Sequence, residues 1–483
     1  MFRMPEIEVS PSNKFYEDKL GRQEIVETLN LFIDATPAPY VLALDGVWGS
    51  GKTTLVKILK ADLEDSGYQC VYFDAWRVDY MVDPLIALVG ALAELVERAP
   101  HKSSADALAA LKESAAVIAV ETVGAIAQAV TKGLVSTAAI QAFTKARQAQ
   151  VFSDYEAAKK TTEQFAEKLE AAAKSILEHP EQEPEHPEQE PEHPEQEPEH
   201  SEQKLEHSEQ KKIIFFVDEL DRCRPTFAVH LLERIKHLFD IQNIFFVLSV
   251  DKAQLEASMR GVYGTDTDAP EYLRRFIDFD YRVPCVPTKS FTTSLFEKFG
   301  LIEKLKGRQG AFRADAERFI TYFTIFATAY RLSARAQGQC VGRLAVVVQS
   351  ATDRHYLHPP IVVLLIILRV KQPALYQRWI AGDLPAAEFI QQWEGTDAVM
   401  ESYEKSFIHA YLLAVDPKHR RAKQDLDVLK DKADDENTSL EEKETLQLTI
   451  TIHEELRREQ TRGRKFLSHW DKKIQLYEDF GAI

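Results

Sequence analysis

Residues 46–53 read Gly-Val-Trp-Gly-Ser-Gly-Lys-Thr, and these residue types at this spacing can hold a polyphosphate. Gly46, Gly49 and Gly51 let the backbone curl close to an anion without side-chain clashes. Consecutive backbone N–H groups of Val47, Trp48, Ser50 and their neighbours then point inward, and a following helix adds its N-terminus. Lys52 is spaced to reach the β- and γ-phosphates, Thr53 to place its hydroxyl on Mg²⁺, and Thr54 continues the run. The competing reading is a chance glycine-rich turn. The flanks decide against it. Tyr40–Leu44 is an apolar run of strand type, and Leu55, Ile58, Leu59 and Leu63 recur at helical spacing from Thr54 to Asp65.

Binding phosphate is not hydrolysing it. Hydrolysis also needs a metal carboxylate, a group that activates water and positive charge for the transition state. Asp218 ends the apolar run Lys212–Val217, where parallel sheets place their ligands, and is the candidate Mg²⁺ carboxylate. Glu219, beside it, is the candidate water activator. A second apolar run, Asn243–Val250, ends near Ser249 and Asp251. Either could sense the γ-phosphate, and the alternative for both is a strand cap. Arg274 and Arg275 lie in Tyr272-Leu273-Arg274-Arg275-Phe276; they are arginines that could reach a neighbouring subunit's nucleotide, or else a salt-bridged surface. No Asn-Lys-x-Asp or Thr-Lys-x-Asp run is present, which favours ATP over GTP.

The elements that must position these groups alternate along the chain. A helix is expected over 14–33, then a strand, the phosphate loop and its helix, and a short strand Cys70–Phe73. Helices follow over 84–98, 104–150 and 153–177, then the Asp218 strand, a helix from Pro225 to about Phe239 and the Asn243 strand. Strands alternating with helices predict an α/β doubly wound, mainly parallel sheet with a helical insertion. From about Lys289 the pattern is helical: 313–331, 333–351, Ile361–Val370, 384–415 and 421–475, an all-α C-terminal domain. The expected division is thus 14–100 and 212–288 for the core, 101–177 for the insertion, 178–211 for a linker and 289–483 for the helical domain.

The linker is a repeat. Glu-His-Pro-Glu-Gln-Glu-Pro occurs three times from Glu178 to Pro198, and two decayed copies follow. Two prolines per repeat and no apolar position exclude a coiled coil and leave an extended, solvated spacer, with weak metal binding by its recurring His residues as the alternative. Residues 178–210 hold thirteen Glu against one Lys, most of the net charge of −17 on the 483 residues. The acidic balance argues against a general nucleic-acid-binding surface. A local basic run, Lys418, His419, Arg420, Arg421 and Lys423, reads as a solvated helix face or a nucleic-acid contact. Cys70, Cys223, Cys285 and Cys340 show no C-x-x-C pairing, and Met1–Pro5 no apolar signal core, so a reduced, cytoplasmic protein is expected. Residues 115–140 are rich in Ala, Val and Ile, but Glu121 and Lys132 break them into runs shorter than the roughly 20 residues of a spanning helix. The two readings for them are a pair of packed Ala-rich helices and contact with the inner face of the cell membrane.

Taken together, the motifs resemble the KAP family of P-loop NTPases. The similarity rests on Gly46–Thr54, Phe73-Asp74-Ala75-Trp76, and above all Val217-Asp218-Glu219-Leu220-Asp221-Arg222-Cys223-Arg224-Pro225, the Walker B run. Phe246–Asp251, Tyr272–Phe276 and Ser333-Ala334-Arg335 support it, and Asp18-Lys19-Leu20-Gly21-Arg22 resembles an element that related NTPases lay against the adenine. The resemblance covers about residues 15–350. It implies an ATPase with an additional strand in its sheet, binding ATP and Mg²⁺, with Arg335 as well as Arg274 and Arg275 supplying positive charge. It also implies a possible role in phage exclusion. Apart from the resemblance, an arginine acting on a neighbouring subunit's nucleotide makes a homo-oligomer the expectation, with a protein partner not identified by the sequence. The competing classes are a nucleotide-gated scaffold with slow hydrolysis, and a kinase, against which Glu219 argues.

Overall fold

A computed structural model describes residues 14–15, 18–81, 84–98, 104–113, 164–178, 212–236, 241–284, 287–308, 314–351 and 357–384, with scattered positions beyond, chiefly within 419–451. Five parallel strands form one sheet in the order β2-β3-β4-β1-β5: β1 Tyr40–Asp45, β2 Gln69–Asp74, β3 Ile213–Asp218, β4 Ile244–Val250 and β5 Phe279–Arg282. The side-chain period of two sorts the strand residues onto two faces. Val41, Ala43, Phe215, Val217, Phe246 and Leu248 pack on one face, beneath helices Pro84–Arg98, Pro225–Lys236 and Lys252–Tyr263 and the helical segments 104–113 and 164–178. Leu42, Leu44, Ile214, Phe216, Phe245 and Val247 pack on the other, beneath helices Gln23–Ala35 and Lys52–Asp65. The sheet is therefore covered on both sides, which is why β3 and β4 read as unbroken apolar runs rather than alternating ones.

Strand order matters more to the site than strand number. β4 lies between β1 and β3, with Asp45 opposite Val250 and Ser249 opposite Asp218. The carboxyl ends of the three strands thus finish side by side, in the crevice where open parallel sheets bind ligands.

Three expectations are corrected. The first helix begins at Gln23, not at residue 14. Gly21 is left-handed at φ +67°, and Asp18 accepts the N–H groups of Leu20 (3.3 Å) and Arg22, closing a turn instead of a helix. β5 was not expected, because Phe-Asp-Tyr-Arg has no apolar run; among the described residues it is an edge strand, paired only with β1. The helix expected over 421–475 is interrupted: helix His419–Asp434 ends, and the described residues of 435–439 form a turn in which the Thr438 hydroxyl donates to the Lys432 carbonyl at 2.8 Å. Most of 384–415, the repeat tract and residues 115–140 lie outside the described residues.

Lys212, the first described residue after the repeat tract, is buried. Its amine caps helix Gln23–Ala35, donating to the carbonyls of Ile33 and Thr36 (2.6 Å), a favourable place for a cation. Burial still pushes that amine below its ordinary range, with Asp34 opposing. From Leu295 onward a second apolar cluster forms from helices Lys289–Lys298, Leu301–Lys306, Asp315–Ala329, Ala334–Gln349 and Pro359–Lys371. Among the described residues no helix is long and apolar enough to cross a membrane.

Candidate nucleotide site

The loop between β1 and helix Lys52–Asp65 is shaped by contacts that leave no room for side chains. Gly49 and Gly51 are left-handed, at φ +80° and +88°. A Cβ on Gly51 would lie 2.8 Å from Leu20 Cδ1, and one on Gly49 2.7 Å from Arg335 Cβ. The loop closes on itself through Ser50 N–H to the Val47 carbonyl (3.1 Å) and is tied to β4 through Gly46 N–H to the Val250 carbonyl (3.0 Å). Arg22, almost fully buried, holds it from behind by donating to the Ser50 carbonyl at 2.7 Å. The helix starts at Lys52 with no acidic residue in its first turn, so its N–H groups face an anion unopposed.

A Gly49→Ala substitution makes a sharp test of that shape. Strain of about 1–3 kcal/mol from the left-handed backbone alone, before the Arg335 clash, is expected to weaken nucleotide affinity by roughly tenfold or more. Titration of ATP into the folded variant measures it, and wild-type affinity would show that the loop does not need its present shape.

Lys52 is buried, and its amine donates to the Gly46 carbonyl and, at 3.5 Å, to that of Val47. The cation is thus folded over the loop that it would share with phosphate. Thr53 opens the helix, and its hydroxyl donates to Glu219 Oε1 at 3.1 Å; Thr54, one residue on, is half-buried. Asp218 at the end of β3 accepts from the Glu219 N–H at 2.9 Å and from the Tyr72 hydroxyl at 3.0 Å. Burial and the Asp218 carboxylate push the Tyr72 phenol far above its ordinary range, so it stays a donor. Glu219 itself sits at φ +61°, a strained position for a non-glycine residue, and its side chain points back toward the loop. Burial raises its carboxyl, and the neighbouring Arg222 guanidinium opposes that rise.

The site thus brings Lys52, Thr53, Asp218 and Glu219 into one crevice. Ser249 stands between Asp218 and Leu44 in register, fully buried, with no hydrogen-bond partner for its hydroxyl among the described residues. The Ser50 hydroxyl, in the loop, is equally buried and unpartnered. Orphaned buried hydroxyls are costly unless something else meets them. Asp251, in contrast, caps helix Lys252–Tyr263, accepting from Gln254 N–H at 3.4 Å.

The arginines divide. Arg335 lies against the loop: its backbone N–H donates to the Gly49 carbonyl at 3.4 Å, and its side chain is exposed. Arg274 pairs with Glu271 at 2.8 Å, and the Arg275 guanidinium lies 5.6 Å from the Tyr272 ring, so each engages its own segment. Val47 and Trp48 are exposed at the loop tip, where the Trp48 indole N–H donates to Asp221. Asp221, buried and raised by that burial while Lys52 pulls it down, carries no role in the sequence reading, nor does Tyr72. Asp221 had a signal, three residues after Asp218 in the same acidic turn. Arg22 lay in the Asp18–Arg22 element singled out by resemblance, though its hold on the Ser50 carbonyl was not foreseen, and Tyr72 had no signal, since strand pairing brings it in.

A strand, a glycine-rich turn, a helix and an acidic strand end with one strand between, all in a parallel sheet, define a nucleotide-binding P-loop fold. A family model of the KAP family P-loop domain matches residues 22–350, more than half of the chain, and the chain belongs to that family. No curated protein matches it.

Proposed function

We propose that the chain hydrolyses ATP at this site and uses the loss of the γ-phosphate to switch the helical cluster beginning at Leu295. The observation that carries the reading is Glu219: a carboxylate next to Asp218, within hydrogen-bond reach of Thr53 and across the crevice from the loop of Lys52. A P-loop that only held nucleotide would have no use for a second, strained carboxylate there.

The steps follow from the residues. Backbone N–H groups of Gly46–Thr53 surround the phosphates, and Lys52 exchanges the Gly46 and Val47 carbonyls for the β- and γ-phosphate oxygens. Thr53 and Asp218 would hold Mg²⁺, which would neutralise charge on the phosphate oxygens. Glu219 orients a water and takes its proton as the water oxygen bonds to the γ-phosphorus and the bridging bond to the β-phosphate breaks. Ser249 offers its hydroxyl to the γ-phosphate. The Gly49–Arg335 contact couples the loop to helix Ala334–Gln349, whose other side is buried in the helical cluster, so loop movement is passed on.

Arg274 and Arg275, outside their own chain's site, are proposed to complete the site of a second copy. Phosphate release from ATP without an added acceptor, measured across protein concentrations, tests this. Specific activity is expected to rise with concentration, and a flat profile would leave the arginines without that role. The ion pair that holds Glu219 to Arg222 favours a second reading, a nucleotide-gated scaffold in which slow hydrolysis only resets assembly. The family resemblance supports a place in phage exclusion, tested by phage plating with and without the gene.

A further inference from the structure

Glu219 is doubly engaged. Its Oε1 accepts from Thr53 at 3.1 Å, and its Oε2 is ion-paired with Arg222. The Arg222 guanidinium in turn lies 5.7 Å from the ring centroid of Trp76, on the segment directly after β2. The register Asp74 opposite Asp218, and the Ala75 N–H donated to the Asp218 carbonyl at 3.0 Å, set Trp76 beside the Leu220–Arg222 turn. Trp76 is half exposed, at 52%.

A base must present an unshared electron pair to the water it activates. Here a cation stands against one oxygen without a hydrogen bond to it, and the hydroxyl of a metal-binding threonine donates to the other, so both oxygens are turned to the protein although each keeps a lone pair. The ion pair also fixes the carboxylate's direction. This is the geometry of a carboxylate held in reserve. We infer that Arg222, supported by the Trp76 ring, is a positioning residue that restrains Glu219 until nucleotide and metal draw Thr53 away. The inference rests on the reading of Glu219 as the water activator.

The restraint is partly solvent-exposed and correspondingly modest. Arg222→Ala is expected to raise kcat for ATP hydrolysis about threefold to tenfold, with the Kd for ATP little changed. Trp76→Ala, which keeps the guanidinium but removes its support, is expected to move kcat the same way by less, and Arg222→Lys to stay near wild type. Adding Glu219→Gln to Arg222→Ala is expected to abolish the gain. A fall in kcat, or no change, in Arg222→Ala overturns the inference; if that variant does not fold, Trp76→Ala decides in the same way. The two levels separate cleanly. A Glu219→Gln enzyme as active as wild type sinks the reading of the site, whereas an inactive one beside an Arg222→Ala enzyme that is no faster sinks only the restraint.

Discussion

Replacing Lys52 by Ala is expected to reduce ATP affinity by about a hundredfold, because it removes the one buried cation of the phosphate loop. The amine donates to the Gly46 and Val47 carbonyls, so its loss costs the loop little that a water cannot restore. Its loss with nucleotide is different in kind: a charge-assisted contact to the β- and γ-phosphates disappears, and nothing else described in the loop carries positive charge. Asp221 makes the effect larger. That buried carboxylate is balanced by the Lys52 charge, the Trp48 indole N–H and backbone N–H groups, and without the amine it loses the cation among them. Equilibrium titration of ATP measures the change, with a melting curve to show that the variant is folded. Unchanged affinity and turnover would reject the loop as the binding site.

Replacing Glu219 by Gln is expected to leave ATP bound and lower turnover by about 10²–10⁴-fold. The amide keeps the size of the side chain and an oxygen to accept from Thr53, so the metal side of the crevice is preserved. What it lacks is the capacity to take a proton. The variant also frees Arg222 from its ion pair, so any residual activity is not attributable to restraint. Single-turnover phosphate release beside an ATP titration separates the two effects. Loss of binding together with loss of turnover would assign Glu219 to nucleotide holding, not to chemistry.

The parts of the fold legible in the sequence are those determined locally. β1, β3 and β4 are apolar because both of their faces are buried, and the residues at their ends are the chemically loaded ones, Gly46, Asp218 and Ser249. The KAP resemblance rested on those same runs, and the family match extends over nearly the span they indicated. The insertion of β4 between β1 and β3 is the additional strand that the resemblance implied. What was not legible is set by packing over long separations. β5 carries no apolar run and, among the described residues, is paired with β1 alone at the sheet edge. The turn at Gly21 replaced a helical start because Asp18 satisfies the N–H groups there, an arrangement that periodicity does not register. In the site, Tyr72 meets Asp218 across 146 residues, Trp48 meets Asp221 across 173, and Arg22 meets Ser50 from behind the loop. Asp251 shows the converse: a carboxylate after a strand suits phosphate sensing and helix capping equally on paper, and its backbone position at the start of helix Lys252–Tyr263 makes it a cap.

The most direct measurement is the position of a Mn²⁺ ion, substituted for Mg²⁺, in a crystal of the chain grown with a non-hydrolysable ATP analogue and located by its anomalous signal. The expected result is a single metal beside the Thr53 hydroxyl and the Asp218 carboxylate, with the analogue's phosphates wrapped by Gly46–Thr53. A metal and triphosphate bound elsewhere, or an analogue in the loop whose metal avoids both residues, would contradict the site proposed here.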